Sequence, residues 1–358
     1  MCFFFRFIWE RALTEFVLVI VFLFFVGAEI AKSDRFFPEY CSKSTSNAVK
    51  GIFVMCVFTS HFFSYIPDAQ VGADVRTIMG LLGQLMVAPF LFYSGYGVAE
   101  SIRKQGLRYV KRIGIHRAVR TLGHFDVAVC FFAVLQLMLG NPFTLKKQIL
   151  ALVCWDDFGN STWYIFAIVT LYILTALVYR VLYRKPMCAL FAVTGITIAY
   201  IVLLSRVRPV HWYDTMLCYV FGMWYSHLRE HVEKLVMRND FVYLVTTFAA
   251  FAAFYWLRQF IYNHYLIHNL YAVVFLVLLL LISMKLRLDN GLLQFLGENT
   301  FGIYILQRIP MILLTHYGIM KYSAVNMYIA CFLITCILSL IFTGCLKMID
   351  ARLFRGSR

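Results

Sequence analysis

Residues 265–284 have the sequence YLIHNLYAVVFLVLLLLISM, which contains no Lys, Arg, Asp or Glu. An α-helix rises about 1.5 Å per residue, so a helix of this length would cross the ~30 Å hydrocarbon core of a bilayer. Further apolar stretches of similar length lie at residues 12–31, 49–66, 75–99, 122–140, 162–183, 187–205, 210–228, 241–260, 297–317 and 324–346. The sequence therefore predicts an all-α, polytopic membrane protein with 10–11 transmembrane helices around a central cavity.

The composition disfavours the other classes of protein. Of the 358 residues, 62% are hydrophobic and 14% are charged, and the mean hydropathy is +0.76. A soluble domain is about 45–50% apolar and about 25% charged, so this chain has more apolar residues than one soluble core could bury. An outer-membrane β-barrel is disfavoured because the apolar runs are continuous instead of alternating with polar residues.

The net charge of +15 comes from 33 Lys and Arg against 18 Asp and Glu. If residues 32–48 are cytoplasmic, 23 of the 33 basic residues fall on the cytoplasmic side, which agrees with the positive-inside rule. The charge then needs no nucleic acid to explain it, and the C-terminus is cytoplasmic. With eleven spans the N-terminus is outside, whereas both termini are inside if residues 12–31 lie flat on the membrane.

The ten cysteines form no Cys-x-x-Cys pair, and seven of them lie in apolar runs. We interpret these seven as small buried hydrophobic residues, and we expect neither a disulfide framework nor a metal site. His264 and His268 have an i, i+4 spacing, but they lie at an outer loop and are interpreted as interfacial.

The second apolar stretch carries two ionisable residues, Lys50 and His61. Eleven residues at about 100° each bring both side chains onto one helix face, about 16 Å apart along the axis. An ionisable group at the depth of His61 is costly in a membrane and indicates function. Two plainer interpretations stay open: Lys50 extends toward the lipid headgroups, and His61 is a core histidine bonded to a carbonyl.

Three further segments follow this pair along the chain: PFLFYSGYG at 89–97, STWYI at 161–165 and LGENTFGIY at 296–304. Together with the Lys50-to-His61 spacing, which is similar to an Arg, ten residues, His signature, they resemble the acyltransferase-3 family of membrane O-acyltransferases. The resemblance covers residues 45–346 and implies acyl transfer from coenzyme A to sugar hydroxyls in glycans. The sequence departs from the family's pattern at Lys50, where Arg is usual, and at Gln307, where many relatives have His.

The resemblance implies roles for particular residues. His61 would accept the proton of the acceptor hydroxyl as a neutral imidazole, and Lys50 would position a donor phosphate or stabilise developing charge. The residues that would bind acyl-CoA, with acetyl-CoA as the simplest donor, are Ser94, Tyr96, Arg103, Lys111 and Arg112. The residues that would bind the acceptor are Trp163, Tyr164, Asp156 and Asp157.

Each of these groups has a plainer explanation. The basic segment 103–120 fits the positive-inside excess, Trp163 and Tyr164 fit an interfacial aromatic belt, and Gly95 with Gly97 fits close helix packing. Two charged residues in or near predicted spans, Arg258 and Arg308, are further candidates for the cavity.

We expect two parts: an extra N-terminal membrane helix with a cytoplasmic connection over residues 1–40, and a single acyltransferase-3-like membrane domain over residues 41–358. The favoured interpretation is an enzyme of the bacterial cytoplasmic (inner) membrane that moves acetyl or succinyl from acyl-CoA to a cell-surface polysaccharide or lipid-linked sugar. Its partners would be this glycan and membrane lipids, without nucleic acid. The alternatives are a transporter or flippase of lipid-linked saccharide without covalent chemistry, and a degenerate scaffold.

Overall fold

The computed structural model describes residues 2–67, 71–262, 264–319 and 323–353, and the side chains of residues 13–352 within these ranges. The described chain is mostly helical. Its helices are α1 (Cys2–Phe24), α2 (Lys43–Phe63), α3 (Ala73–Leu82), α4 (Ala88–Gln105), α5 (Leu107–Ile113), α6 (Arg120–Met138), α7 (Leu145–Leu152), α8 (Trp163–Leu182), α9 (Pro186–Leu204), α10 (Leu217–Val236), α11 (Asp240–Arg258), α12 (Tyr265–Lys285), α13 (Gly291–Glu298), α14 (Thr300–Leu306), α15 (Arg308–His316) and α16 (Ala324–Leu353). A 3₁₀ turn at Gly83–Val87 joins α3 to α4, a π-helical turn at Gly114–Val119 joins α5 to α6, and a second 3₁₀ turn, Val210–Trp212, precedes α10.

Seven helical stretches among the described residues are long and apolar enough to cross a membrane. They are Ala73–Gln105, Leu107–Met138, Trp163–Leu182, Pro186–Leu204, Asp240–Arg258, Tyr265–Lys285 and Ala324–Arg352. The prediction of an all-α, polytopic membrane protein is confirmed. Seven is fewer than the 10–11 spans that the sequence predicted, and the central cavity stays a prediction.

Three of the other predicted spans form helices that are more polar or less continuous than expected. Residues 297–317 are divided among α13, α14 and α15, with breaks at Asn299 and Gln307. The span predicted over 210–228 is displaced, because α10 begins at Leu217 and its second half is rich in charged residues. Helix α2 covers the predicted 49–66 but is rich in polar residues over its first two turns.

The predicted span at 12–31 is wrong at its C-terminal end. Helix α1 ends at Phe24, and a short strand β1 (Ala28–Ile30) pairs antiparallel with β2 (Leu286–Leu288). Glu29 and Arg287 face each other in this pair and form an ion pair of 2.5 Å. The backbone here is therefore held by hydrogen bonds to another segment instead of by a helix.

The cysteine prediction is partly wrong. Cys218 and Cys331 are buried as expected, but Cys130 on α6 and Cys188 on α9 are exposed on the surface of the helix bundle. The outer surface of a membrane protein faces lipid and is itself apolar, so an apolar run does not separate inward from outward positions. The nine described cysteines are free thiols.

Close helix packing around two glycines fixes the position of the candidate site. A Cβ on Gly297 of α13 would lie 2.1 Å from the carbonyl oxygen of Asn47 on α2, and one on Gly95 of α4 would lie 1.9 Å from that of Tyr219 on α10. Both pairs of helices can approach this closely only because a side chain is missing. The alternative that Gly95 serves helix packing is therefore the one that the structure supports.

Candidate active site

Helix α2 is one continuous α-helix from Lys43 to Phe63, so the predicted common face of Lys50 and His61 is preserved. Ser42 caps its N-terminus by accepting a hydrogen bond from the backbone N–H of Thr45 at 3.1 Å. We call the two ends of the bundle the Lys50 end, where α2 begins, and the His61 end, where α2 terminates. Lys50 and His61 lie about 16 Å apart along the axis, so they contact different parts of the protein.

His61 lies beside the hydroxyl of Ser161, with 3.3 Å between its Nε2 and the Oγ of Ser161. His61 borders a small pocket of about 80 Å³ at the His61 end. The pocket is lined by Val57, Ser60, His61, Gly83, Gln84, Met86, Val87, Trp163 and Tyr304. The structure therefore brings His61 together with Trp163, a predicted acceptor residue, in one pocket.

Arg308 supplies a positive charge beside this pocket. One terminal nitrogen of its guanidinium donates to the carbonyl oxygen of Gly159 at 3.0 Å, and its charge acts on the His61 ring. Its Nε is buried and has no hydrogen-bond partner among the residues that the structure describes. The sequence named Arg308 only as a general candidate, on the ground that a charge in a predicted span is costly.

Ser161 and Tyr304 complete the surroundings of His61. The hydroxyl of Tyr304, which is buried, interacts with that of Ser161. Both residues belong to segments that carried the family resemblance, but no role for either could be predicted, because nothing in the local pattern shows which neighbours His61 has. An imidazole between hydroxyls, with a cation nearby, can accept a proton from an alcohol and tolerate negative charge on a neighbouring oxygen.

A series of hydroxyl groups continues from this pocket along α8. The ring of Tyr164 lies 5.4 Å from that of Tyr304, and its hydroxyl interacts with Ser94 on α4. Ser94 also interacts with Tyr172, two turns further along α8, and Tyr172 interacts with Arg117. Tyr164 therefore faces the interior of the bundle, which differs from the lipid-facing aromatic belt considered from the sequence.

The two predicted acceptor carboxylates lie in the turn before α8. Asp156 accepts a hydrogen bond from the backbone N–H of Asp157, and Asp157 accepts one from that of Gly159, both at 2.8 Å. Asp156 is also within electrostatic range of Arg208. Both carboxylates thus hold the turn, and Asp157 also lines a second pocket at the His61 end.

The predicted acyl-CoA residues are not gathered into one site. The hydroxyl of Tyr96 accepts a hydrogen bond from Arg229 at 3.0 Å, and Arg103 forms an ion pair of 2.8 Å with Glu100. Lys111 is exposed, and Arg112 is half-buried on the same short helix α5. Ser94 stands apart from them, because its contacts are Tyr164 and Tyr172 in the interior.

Lys50 is half-buried at its end of α2, within electrostatic range of Glu298 on α13. Gln307 is fully buried and donates from its amide to the carbonyl oxygen of Tyr304 at 2.9 Å. Its Oε1 has no partner among the described atoms. In the described part of the chain, no group of three or more His, Cys, Asp or Glu residues is arranged to hold a metal ion.

Comparison with known proteins gives one finding. The acyltransferase-3 family model, which describes an acyltransferase domain, matches residues 45–345. Neither a curated protein nor a solved structure matches the chain. The matched range includes α2 from Thr45 onward, with both Lys50 and His61, the whole of α8, and Arg308.

Proposed function

The chain belongs to the acyltransferase-3 family and is a membrane acyltransferase, and we propose that it moves acetyl or succinyl from cytoplasmic acyl-CoA to a hydroxyl of a cell-surface polysaccharide or lipid-linked sugar. The observation that carries this proposal is the pocket at the His61 end. There the Nε2 of His61 lies 3.3 Å from a hydroxyl group, and the buried Nε of Arg308 close by has no partner among the described residues.

In the proposed reaction, the acceptor hydroxyl enters the pocket beside Ser161 and gives its proton to the Nε2 of His61. Its oxygen attacks the thioester carbonyl, the C–S bond breaks and the new ester forms. The coenzyme A thiolate then takes the proton from His61 and leaves as a thiol, so His61 returns to its neutral form. A positioned general base of this kind contributes about 10²–10⁴-fold to the rate.

Arg308 is the proposed partner of the oxyanion that develops on the thioester carbonyl. A buried guanidinium N–H without a hydrogen-bond partner is costly in the resting protein. It recovers a partner when negative charge appears nearby, and donors placed in this way are worth about 10²–10³ in kcat. The hydrogen bond from Arg308 to the carbonyl of Gly159 fixes the guanidinium in place.

The hydroxyl groups along α8 support a donor route through the interior. Coenzyme A is a polyanion that does not cross bilayers, so its thioester must reach the His61 end from the cytoplasmic side. The path from Arg117 past Tyr172, Ser94 and Tyr164 to Tyr304 offers hydrogen-bond partners along the first half of α8. We assign the acyl-pantetheine arm of the donor to this path, and its phosphates to the basic residues of α5, Lys111 and Arg112.

This proposal places the chain in a bacterial cytoplasmic membrane, with the Lys50 end and the C-terminus in the cytoplasm and the His61 end outside. The charge distribution of the sequence supports this orientation. Cysteines introduced in 103–120 should then react with an impermeant thiol reagent only after the inner face is opened. Cysteines in 144–158 should react from outside in intact cells.

The test is thiol release from acetyl-CoA by the purified protein in lipid nanodiscs, measured with and without glycan acceptor. Acyl transfer predicts one thiol released for each O-acetyl group gained by the acceptor, and His61→Gln should abolish both. His316→Gln is the matched control, because His316 is an exposed histidine at the C-terminus of α15. Transport of lipid-linked saccharide across the membrane of sealed proteoliposomes, without thiol release, would instead establish the transporter.

A further inference from the structure

A second pocket, of about 380 Å³, lies at the His61 end next to the candidate active site. It is formed by the C-terminal end of α6, the connection to α7, the first turn of α7 and the turn before α8. The residues that line it are Gln136, Asn141, Pro142, Phe143, Thr144, Lys147, Asp157, Phe158 and Gly159. We call it the outer-loop pocket.

The polar side chains of the outer-loop pocket hold its walls in place. The amide nitrogen of Gln136 donates to the carbonyl oxygen of Phe158 at 2.8 Å, and that of Asn141 donates to the Oε1 of Gln136 at 2.9 Å. The rings of Phe143 and Phe158 lie 4.5 Å apart and form an aromatic wall. A pyranose presents C–H groups on its faces and hydroxyls on its rim, so aromatic rings beside amide and carboxylate groups suit it.

Lys147 adds a positive charge to this wall. Its ammonium lies 5.5 Å from the centre of the Phe158 ring, and the side chain is half-buried, whereas its neighbour Lys146 is exposed. Across the ranges that the structure describes, no carboxylate lies within ion-pair distance of the Lys147 ammonium. The carboxylate of Asp157 is already engaged by the N–H of Gly159. An anionic substituent on a sugar would give Lys147 the partner that it lacks.

One short segment joins the outer-loop pocket to His61. Asp157 and Gly159 line the outer-loop pocket, Ser161 contacts His61, and Trp163 lines the pocket of His61. Two residues span at most about 7 Å of chain, so Gly159 and Ser161 are close neighbours. A sugar unit held in the outer-loop pocket therefore places the next unit of the same glycan at His61.

We propose that the outer-loop pocket binds a carboxylate-bearing sugar unit of the acceptor, adjacent to the unit that is acylated. This assignment rests on the proposed function and narrows the acceptor to acidic glycans. Lys147 recognises the carboxylate, Gln136 and Asn141 bind hydroxyls, and Phe143 with Phe158 packs against the ring.

The test measures binding of two monosaccharide probes to the full-length protein by saturation-transfer NMR. The probes are methyl β-D-glucuronide and its uncharged analogue, methyl β-D-glucoside. The wild type should bind the glucuronide more tightly than the glucoside, and Lys147→Met should remove this preference by weakening glucuronide binding about tenfold, the value of one charge-assisted contact. Lys146→Met is the matched control and should bind both probes as the wild type does.

Equal binding of the two probes by the wild type, or an unchanged preference in Lys147→Met, would overturn the proposal. So would the absence of binding of either probe. This measurement detects probe binding without turnover. Failure of the proposed function would be seen in a different experiment, as the absence of thiol release from acetyl-CoA, so the two failures can be told apart. Gln136→Leu is a second variant, and it should weaken binding of both probes because it removes the hydrogen bond to Phe158.

Discussion

The two ends of the bundle differ in whether their arginines are paired with carboxylates. At the Lys50 end, Arg229 binds Glu233 and Arg287 binds Glu29, so the charge of Arg287 is neutralised although its Nε is buried without a hydrogen bond among the described residues. At the His61 end, Arg308 forms no ion pair in the described part of the chain, and its buried Nε has no partner there either. A buried donor that lacks a partner costs about 1–3 kcal/mol, and more if it is charged. Such a cost is recovered when a substrate supplies the partner, so we locate the chemistry at the His61 end.

The residues predicted to bind acyl-CoA can also be divided into those that have protein partners in the described part of the chain and those that do not. Arg103 and Tyr96 already have protein partners, Glu100 and Arg229, which account for their positions without a ligand. Lys111 is exposed at the surface of α5, where a phosphate could reach it. Pairing therefore indicates which basic residues stabilise the fold and which could bind the donor.

The largest effect should follow removal of the Arg308 guanidinium, whose Nε lacks a partner among the described residues. Arg308→Gln should lower kcat for acyl transfer by about 10²–10³-fold, because it removes the proposed oxyanion donor, and the KM for acetyl-CoA should change little. Steady-state kinetics of the purified variant measures both values. Arg206→Gln is the control, since Arg206 is exposed after α9, and an equal loss in both variants would show that the charge at this end acts non-specifically.

A smaller effect is expected at the donor phosphates. Replacing Lys111 and Arg112 together by Gln should weaken acetyl-CoA binding by about 10–100-fold, since each charge-assisted contact is worth about 1.5–3 kcal/mol. Binding of a dephosphorylated donor analogue should be weakened less by the same double substitution. Arg103→Gln, which removes a residue held by Glu100, should have a weaker effect on the donor. Equal weakening of both ligands in the double variant would move the phosphate site elsewhere.

Lys50 tests whether the departure from the family's usual Arg matters. Lys50→Arg should keep transfer activity because the positive charge is retained, whereas Lys50→Ala should lose most of it, about tenfold, if Lys50 stabilises charge on the donor. Lys32→Ala, at an exposed position in the segment before α2, is the control. Activity is measured in membranes at matched expression. Full activity of Lys50→Ala would show that Lys50 has no role in catalysis and only contacts lipid headgroups or Glu298.

The smallest effect concerns stability at the His61 end. Burial raises the pKa of Asp214, in the loop before α10, to about 8. The folded protein therefore holds this proton more tightly than the unfolded chain does. The resulting stability is present at low pH and is lost as pH rises through about 8, by at most about 1.4 kcal/mol per pH unit. Thermal unfolding should show a fall in Tm from pH 6 to pH 8, and Asp214→Asn should reduce that fall.

The class of fold and the position of His61 could be predicted from the sequence, because long apolar runs and an ionisable residue within one are local signals. The neighbours of His61 could not. Ser161 is 100 residues away along the chain, and its contact with His61 depends on how α2 and α8 pack. The pairing of Arg103 with Glu100 was readable as an i, i+3 spacing, but that of Tyr96 with Arg229 was not, because it joins α4 to α10.

The most direct test of the central claim is chemical rescue of His61→Ala. This variant should insert and fold normally and should lose about 10²–10⁴-fold in acyl transfer, the value of a general base. Added imidazole, which fits the space left by the missing ring, should restore part of the thiol release in proportion to the concentration of its neutral form. A fully active His61→Ala would contradict the assignment of His61 as the base. So would an inactive His61→Ala whose thiol release is not increased by imidazole.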